Sequence, residues 1–229
     1  MKYGIVGPSE GEIAAFVAKL EDKKERRISN IKVYEGSYLG LDIAVAISGV
    51  CKVNASIAAQ VLVKDERCDA LVVCGVSGGI DPMLKIGDTV ICSRVAYHDV
   101  VPSFLMNDPP YLGSAWFESD ADLVTAAEEA LGDSINGYKI YTGKAVTGEA
   151  FVADEGRQEI IDGFDPLCTD METAAVAHVA YMNKIPFLAF RSITDTAEKS
   201  GLENFHENYL ASSATAQDCL MAFLERVSE

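Results

Sequence analysis

The sequence lacks the short cysteine and histidine spacings that mark metal sites and disulfide frameworks. It has no C-x-x-C pair and no H-x-x-x-H pair, and its six cysteines and three histidines are scattered along the chain. Most of the cysteines lie in apolar stretches such as 71–74. These patterns indicate reduced core thiols rather than disulfide bonds, and they predict no metal site.

Basic residues are scarce as well. The chain has 19 Lys and Arg against 35 Asp and Glu, a formal charge of −16. Because Lys and Arg supply most of the affinity for phosphate backbones, this balance argues against nucleic acid and anionic membrane surfaces as partners. No apolar run reaches the roughly 18 residues of a membrane span, and residues 1–7 read as a short strand and a glycine turn rather than a leader. We expect a cytoplasmic protein with no membrane partner.

Linkers and repeats are missing too. No Pro/Ser-rich stretch, internal repeat or low-complexity segment interrupts the 229 residues, of which 49% are hydrophobic. A chain of this length and composition can bury one substantial core. We therefore expect a single domain that spans residues 1–229.

Apolar runs and amphipathic segments alternate along the chain. Several runs are nearly continuous in Val, Ile, Leu and Ala, as in strands buried on both faces, and the segments between them repeat apolar residues every three or four positions. Residues 36–40 read as a hairpin turn, which adds antiparallel members. The pattern predicts an α/β fold, a three-layer α/β/α sandwich with a central mixed sheet. The predicted strands are 3–6, 31–34, 42–48, 69–74, 88–95, 138–146, 167–171 and 186–193, and the predicted helices are 11–20, 53–66, 120–131, 155–162, 173–183 and 207–227.

Two segments have more than one interpretation. Residues 74–80, Cys-Gly-Val-Ser-Gly-Gly-Ile, read as a turn after a buried strand but match neither G-x-x-x-x-G-K-S/T nor G-x-G-x-x-G, so they predict no nucleotide-phosphate site. Their glycines either let the backbone approach a ligand or serve the turn geometry alone. Residues 99–116 read as a long Pro-rich loop with apolar and aromatic groups. This loop either folds over its own core or forms a dimer contact that walls an apolar pocket.

Three carboxylates follow predicted strands. Glu172 ends strand 167–171, Asp195 follows strand 186–193, and Glu12 comes shortly after the first strand. Ligands of open α/β sheets bind at the carboxyl ends of the strands. Each acid alone has a structural explanation, at a helix start for Glu12 and Glu172 and as a turn cap for Asp195. Together they supply the groups for acid–base work on a small polar ligand.

Several short motifs occur in order along nearly the whole chain. In the first half they are Gly4-Ile5-Val6-Gly7 with Glu10 and Glu12, Ser48-Gly49-Val50 with Lys52-Val53, Gly75 with Ser77-Gly78-Gly79, and Tyr97-His98-Asp99; in the second half they are Gly148-Glu149-Ala150-Phe151, Asp170-Met171-Glu172 and Arg191-Ser192-Ile193-Thr194-Asp195. In this order they resemble the 5′-methylthioadenosine/S-adenosylhomocysteine nucleosidases of the purine nucleoside phosphorylase and uridine phosphorylase superfamily. The resemblance extends from residue 2 to about residue 225.

The resemblance implies a nucleoside phosphorylase-like fold and an activity. The activity is hydrolysis of the N-glycosidic bond of methylthioadenosine and adenosylhomocysteine, with 5′-deoxyadenosine as a further substrate, by a homodimer that needs no metal or organic cofactor. It implies that Asp195 protonates N7 of adenine, that Glu12 activates the attacking water and that Glu172 binds the ribose hydroxyls. An acid on the leaving group and a base on water form the two-carboxylate arrangement of inverting glycoside hydrolysis.

Further positions take roles from the same resemblance. Phe151 would stack on the base, the main chain of Val152 would read N1 and the 6-amino group, Met171 would pack beneath the sugar, Arg191 would orient Glu172 or the water, and Phe205 would lie near the 5′ substituent. The implied substrate site is completed by Gly78, Thr194, Val76, Ser9 and Val50.

Three features depart from the family pattern. Val76 and Ser77 stand where many relatives have Ser and Ala, Ser9 replaces a Met common beside the sugar, and Thr194 replaces a Ser but keeps its hydroxyl. These changes leave the three acids intact. They therefore bear on substrate preference more than on the type of reaction.

Alternative functions remain. A phosphorolytic purine nucleoside phosphorylase would normally hold phosphate with several Arg side chains, and the chain has no Arg just before Gly75 or in its first turn. A futalosine or aminodeoxyfutalosine nucleosidase would share the acids and differ mainly in the 5′ pocket. A nucleoside sensor without enzymatic activity would have little need for both an acid and a base.

Overall fold

The computed structural model describes residues 1–153, 156–199 and 201–229. Strands and helices alternate along the chain, as the sequence predicts. The strands are β1 Lys2–Gly7, β2 Glu21–Ile28, β3 Ile31–Tyr38, β4 Leu41–Ile47, β5 Ala70–Gly79, β6 Thr89–Tyr97, β7 Trp116–Glu118, β8 Ser134–Ile135, β9 Tyr138–Thr147, β10 Cys168–Asp170 and β11 Phe187–Asp195. The helices are α1 Ala14–Val17, α2 Lys52–Lys64, α3 Pro102–Asn107, α4 Ala121–Leu131, α5 Arg157–Phe164, α6 Thr173–Asn183 and α7 Leu202–Ser228.

A mixed sheet forms the middle layer. Its strand order is β10-β9-β6-β11-β5-β1-β4-β3-β2, with β7 paired to β6 and β8 paired to β9. The central strands β4, β1, β5 and β11 run parallel to one another, whereas β2, β3 and β4 form an antiparallel meander. Strand β10 pairs with β9 and also, antiparallel, with β5. The mixed sheet confirms the predicted fold class.

The strands alternate their side chains between two hydrophobic layers. In β5, Leu71 and Val73 pack into one cluster with alanines of α2 and α6, while Val72 and Cys74 pack into the other with α1, α4 and α7. Successive residues of a strand point to opposite faces, so a nearly continuous apolar run supplies both layers. The two clusters confirm the three-layer sandwich. Among the described residues, no helix combines the length and the apolar character needed to cross a bilayer.

Near the amino terminus, the predicted helix 11–20 is wrong in extent. Its regular part is limited to α1, a single turn, and residues 21–28, which no strand was predicted to include, form β2. The sequence of β2 is Glu-Asp-Lys-Lys-Glu-Arg-Arg-Ile and almost all of it is exposed. An edge strand with few apolar residues shows no alternation of apolar and polar residues from which it could be predicted. Charged side chains protect such an edge from pairing with another chain.

Other corrections concern the two ambiguous segments. Residues 75–79 are not a turn, because β5 continues through Gly79 and pairs there with β10 and β11. The predicted loop 99–116 contains helix α3 and begins β7. The hairpin predicted at 36–40 is confirmed, with β3 reaching Tyr38 before the turn. The first residue of the predicted helix 155–162 lies outside the described residues, and the rest belongs largely to α5.

Candidate active site

A cavity of about 280 Å³ lies at the carboxyl ends of β1, β5, β10 and β11. Ten of the thirteen predicted site residues line it, and the other three, Ser9, Arg191 and Thr194, contact lining residues from behind. The parallel strands β1, β5 and β11 bring Glu12, Gly78 and Asp195 to the same edge. Strand β10, which pairs antiparallel with β5, brings Met171 and Glu172 to it. The ten lining residues are Glu12, Val50, Val76, Gly78, Phe151, Val152, Met171, Glu172, Asp195 and Phe205.

Glu12 is buried, and its carboxylate is held from two sides. The Ser9 hydroxyl donates to Oε2 at 2.6 Å, and the backbone N–H of Val76 donates to Oε1 at 2.9 Å. Burial raises the pKa of Glu12, although Arg191 and these two hydrogen bonds oppose the change. Ser9 also hydrogen-bonds to the hydroxyl of Tyr209. Ser9 therefore supports Glu12 and does not line the cavity.

Gly75 explains how Glu12 fits against the strand. A Cβ built at Gly75 would lie 2.7 Å from Nη1 of Arg191 and would overlap the Glu12 carboxylate. The glycine is therefore required by close approach of two charged side chains, and no turn is involved.

Arg191 is fully buried beneath the cavity and is surrounded by carboxylates. Its Nε lies 3.0 Å from Oδ2 of Asp170, its Nη2 donates to Oε2 of Glu172 at 3.2 Å, and its Nη1 lies 4.0 Å from Oε1 of Glu12. Burial alone lowers the pKa of Arg191, but the three acids outweigh it and raise the pKa. The guanidinium is therefore a permanent cation. Its contact with Glu172 agrees with the role that the resemblance implied.

Glu172 is the N-cap residue of α6 and lies beside Arg191, and its side chain makes no capping hydrogen bond. Its Oε1 accepts a hydrogen bond of 2.9 Å from the backbone N–H of Cys51. Burial raises the pKa of Glu172 to about 7, with Arg191 opposing and the nearby carboxylate of Asp170 contributing to the rise. Three buried carboxylates thus surround one guanidinium, but burial is the main reason that the pKa of Glu172 lies near neutral pH.

Asp195 is the last residue of β11 and is buried at the opposite wall. The Thr194 hydroxyl donates to its Oδ1 at 2.8 Å, whereas Oδ2 has no hydrogen-bond partner among the described residues. Burial raises the pKa of Asp195 against the effects of Thr194 and Arg157. A Cβ on Gly78 would lie 3.2 Å from Oδ2, so this second glycine makes room for the acid.

Aromatic and aliphatic groups close the rest of the cavity. The rings of Phe151 and Phe205 meet edge to face with centroids 6.1 Å apart, and Leu202 and Met171 complete this wall. The outer side of Phe151 is partly exposed. The cavity therefore combines an apolar wall suited to a flat ring with buried carboxyl groups at its floor.

Sequence reasoning missed several residues that the structure brings to the site. Asp170 accepts hydrogen bonds from the Thr147 hydroxyl at 2.6 Å and from two backbone N–H groups at the start of α6, besides its contact with Arg191. Ser77 and Thr169 line the cavity. Asp170 lies within the motif Asp170-Met171-Glu172, so the sequence offered a signal that it belongs to the site. Thr169 gave none, because its position depends on the pairing of β10 with β5.

The site combines a carboxyl group suited to act as an acid with one suited to act as a base. Among the described residues, no group of three or more His, Cys, Asp or Glu side chains could hold a metal ion. Asp195 is a carboxyl whose neutral form is favoured by burial, and Glu12 is a carboxylate held by two donors. Such a pair can protonate a leaving group and accept a proton from a nucleophile.

Known proteins resemble this chain in sequence over its whole length. The phosphorylase superfamily profile matches residues 2–225. The 5′-methylthioadenosine/S-adenosylhomocysteine nucleosidase of Shewanella sediminis is 34% identical, over 99% of this chain and 100% of its own, and that of Bacillus velezensis is 31% identical with the same coverage. The chain belongs to the 5′-methylthioadenosine/S-adenosylhomocysteine nucleosidase family.

Solved structures agree with the family. The nucleosidase of Colwellia psychrerythraea in complex with adenine superposes with a TM-score of 0.90 at 30% identity, covering 99% of this chain and 95% of that one. The Helicobacter pylori futalosine hydrolase has a TM-score of 0.88 at 23% identity, with 98% of this chain and 97% of that chain covered. That second likeness shows the shared fold alone.

Proposed function

We propose that this protein hydrolyses the N-glycosidic bond of 5′-methylthioadenosine and S-adenosylhomocysteine, releasing adenine and the 5′-substituted ribose. The observation that carries the proposal is the convergence of Glu12, Glu172 and Asp195 on one apolar-walled cavity. Among its described lining residues that cavity has no Lys or Arg. Membership in the nucleosidase family supports the same reaction. 5′-Deoxyadenosine, which has the same base and a smaller 5′ end, is proposed as a further substrate.

Asp195 is the proposed acid for the base. Protonation of N7 turns adenine into a neutral leaving group, which a carboxyl group can accomplish only if it is protonated when substrate binds. Burial raises the pKa of Asp195, and its unpartnered Oδ2 is available to a ligand. Phe151 would stack on the base and the main chain of Val152 would read its N1 and 6-amino edge.

Glu12 is the proposed base for water. Ser9 and the Val76 N–H fix its two oxygens, so the carboxylate has a defined orientation before water binds. The transition state of glycoside cleavage resembles an oxocarbenium ion, and water activated by a carboxylate attacks it on the face away from the leaving group. Both hydrogen bonds favour the ionised form that a base requires.

Glu172 is the proposed ribose ligand. A carboxylate can accept hydrogen bonds from two neighbouring hydroxyls, and its own position is fixed by Arg191 and by the Cys51 N–H. Met171 lines the cavity next to it and would pack beneath the sugar. The role of Arg191 is then to hold Glu172.

Phosphorolysis fits the site less well. A phosphate ion beside the anomeric carbon requires cationic or N–H donors that are free to bind it. Arg191 already serves Asp170, Glu172 and the carbonyl of Val76, to which its Nη1 donates at 3.1 Å. Glu12 and Glu172 would repel an added anion. Hydrolysis is therefore the reaction favoured by charge.

A second copy of the chain is the proposed partner. Large apolar side chains are exposed on α2, on α3 and at the end of α6, among them Val53, Ile57, Phe104, Tyr181 and Met182. We propose that in a homodimer these side chains are covered and that the segment 99–116 of one copy borders the 5′ end of the partner's cavity. We propose this dimer as the cytoplasmic form of the enzyme.

The test is a product assay with four nucleosides. Methylthioadenosine, adenosylhomocysteine, inosine and futalosine are incubated with the protein, with and without phosphate, and the released base is identified by chromatography. Adenine from the first two compounds at a rate independent of phosphate is the expected result. Strict phosphate dependence with ribose 1-phosphate as product would support the phosphorylase, release from futalosine alone would support that nucleosidase, and binding without turnover would support a sensor.

A further inference from the structure

Thr169 carries a buried hydroxyl at the wall of the cavity. It is the middle residue of β10, it lines the cavity and only 5% of it is exposed. Its Oγ1 has no hydrogen-bond partner among the described residues. Buried hydroxyls are almost always hydrogen-bonded, because an unmade bond costs free energy. An orphan hydroxyl at a cavity wall therefore indicates a ligand atom as its partner.

The sheet register places Thr169 opposite Asp195. Gly78 of β5 pairs with Thr169 on one side and with Asp195 on the other. The three residues form a row across the cavity floor, with bare backbone at its centre. The Asp195 carboxyl extends over this centre, since a Cβ built on Gly78 would lie 3.2 Å from its Oδ2. Oδ2 of Asp195, at the far end of this row, is also buried without a partner.

Two unpartnered polar groups, one on each side of a glycine, suit a flat base that has a hydrogen-bond acceptor at each of two edges. Purine nitrogens N7 and N3 lie on opposite sides of the ring fusion, and N3 is adjacent to the carbon that carries the glycosidic nitrogen. Thr169 precedes Met171 and Glu172, the proposed ribose contacts, by two and three residues. The N3 edge is the edge that faces the ribose end of the site.

We propose that the Thr169 hydroxyl donates a hydrogen bond to N3 of the purine while Asp195 serves N7. The inference rests on the proposed function, because it deepens the recognition of the base at the same site. Thr169 makes and breaks no covalent bond. Its hydrogen bond withdraws electron density from the base as the glycosidic bond breaks, and it selects bases that carry a ring nitrogen at position 3.

The test compares two bases and three variants. Isothermal titration calorimetry measures the Kd of adenine and of 3-deazaadenine, in which N3 is replaced by C–H, for the wild type, Thr169→Val and Thr169→Ser. Thr169→Val keeps the shape and removes the hydroxyl, whereas Thr169→Ser keeps the donor. Thr215→Val is the matched control, because Thr215 is buried in α7, donates to the carbonyl of Ala211 and lies outside the cavity.

The expected result is a loss of roughly 2- to 10-fold in adenine affinity for Thr169→Val, the range of one neutral hydrogen bond. Affinity for 3-deazaadenine should change little, and Thr169→Ser and Thr215→Val should keep the wild-type preference. The two bases differ in basicity, so the decisive quantity is the ratio of their Kd values compared between proteins. An unchanged ratio in Thr169→Val would overturn the inference while adenine binding stands.

Failure of the proposed function has a separate signature. A wild-type protein that does not bind adenine at all, and releases none from methylthioadenosine, would refute the nucleosidase itself. If Thr169→Val fails to fold, Thr169→Ala replaces it, because it also removes the hydroxyl, and an unchanged ratio of the two Kd values in that variant would overturn the inference.

Discussion

Replacing Glu172 by Gln should make the protein more stable at alkaline pH while impairing its activity. The side chain is one of three buried carboxylates, with Glu12 and Asp170, around the single guanidinium of Arg191. Burial raises the pKa of Glu172 from 4.5 to about 7. The folded protein therefore holds a proton at this site more tightly than the unfolded chain does.

The sign of the pH dependence follows from that difference. The contribution of Glu172 to stability is fully present below pH 4.5 and is lost as the pH rises through about 7. At about 1.4 kcal/mol per pKa unit, ionisation at pH 8 costs on the order of 3 kcal/mol. Gln has nearly the same shape and no charge, so the variant avoids this cost. Arg191 keeps Asp170 as its partner, which limits the loss of its own ion pairing.

The assay is thermal unfolding of wild type and Glu172→Gln between pH 5 and pH 8. For a domain of this size 1 kcal/mol corresponds to roughly 2–4 °C in Tm, so the advantage of the variant should grow by up to about 10 °C across this range. Glu21→Gln on the exposed strand β2 is the matched control and should follow the wild type. Parallel pH profiles for wild type and Glu172→Gln would refute the reasoning. So would a variant whose relative stability falls as the pH rises.

Three further substitutions and one pH profile test the site. Asp195→Asn should lower kcat by about 10²–10⁴-fold with an unchanged circular dichroism spectrum, and wild-type turnover would remove Asp195 from the role of acid. Glu12→Gln should bind substrate in calorimetry but not hydrolyse it, and lost binding would make Glu12 a substrate contact. Cys51→Gly should raise the free energy of unfolding by about 1 kcal/mol in urea denaturation. Cys51 has φ 82° and ψ 161°, a backbone region suited to glycine. A variant less stable than the wild type would contradict the idea that the backbone is strained at Cys51. The kcat/KM of the wild type should fall on both sides of an optimum pH, since Glu12 must be ionised and Asp195 protonated. A rate independent of pH between about 4 and 9 would contradict this assignment of protonation states.

The regular part of the fold could be predicted because local patterns decided it. Helix α6 begins and ends at the residues predicted from its periodicity, and the buried strands were found by their apolar runs. Strand β2 could not be found in this way, since it is charged throughout and exists through pairing with β3. Helix α3 has no buried residue, and its apolar residues 104–106 are consecutive, so no helical spacing revealed it.

The same distinction between local patterns and strand pairing applies to the residues of the candidate site. Glu12 and Asp195 could be predicted, because the parallel strands β1 and β11 bring their carboxyl ends together whatever the exact register. Glu172 reaches the same site from β10, which is antiparallel to β5. Thr169 and Cys51 could not be predicted, since one is brought to the cavity by the pairing of β10 with β5 and the other contributes its backbone N–H. Ser9 was predicted to lie beside the sugar, but the structure shows it hydrogen-bonded to Glu12.

The glycines of β5 connect the fold to the chemistry. Gly75 leaves space for Glu12 and Arg191, and Gly78 leaves space for Asp195, so charged groups can lie against a strand in the centre of the sheet. Any side chain at Gly75 would displace the proposed base from the N–H of Val76 that orients it. The acids are thereby buried deeply enough for their pKa values to rise. In this protein the glycine cluster is required because it lets carboxyl groups occupy positions from which a sheet normally excludes them.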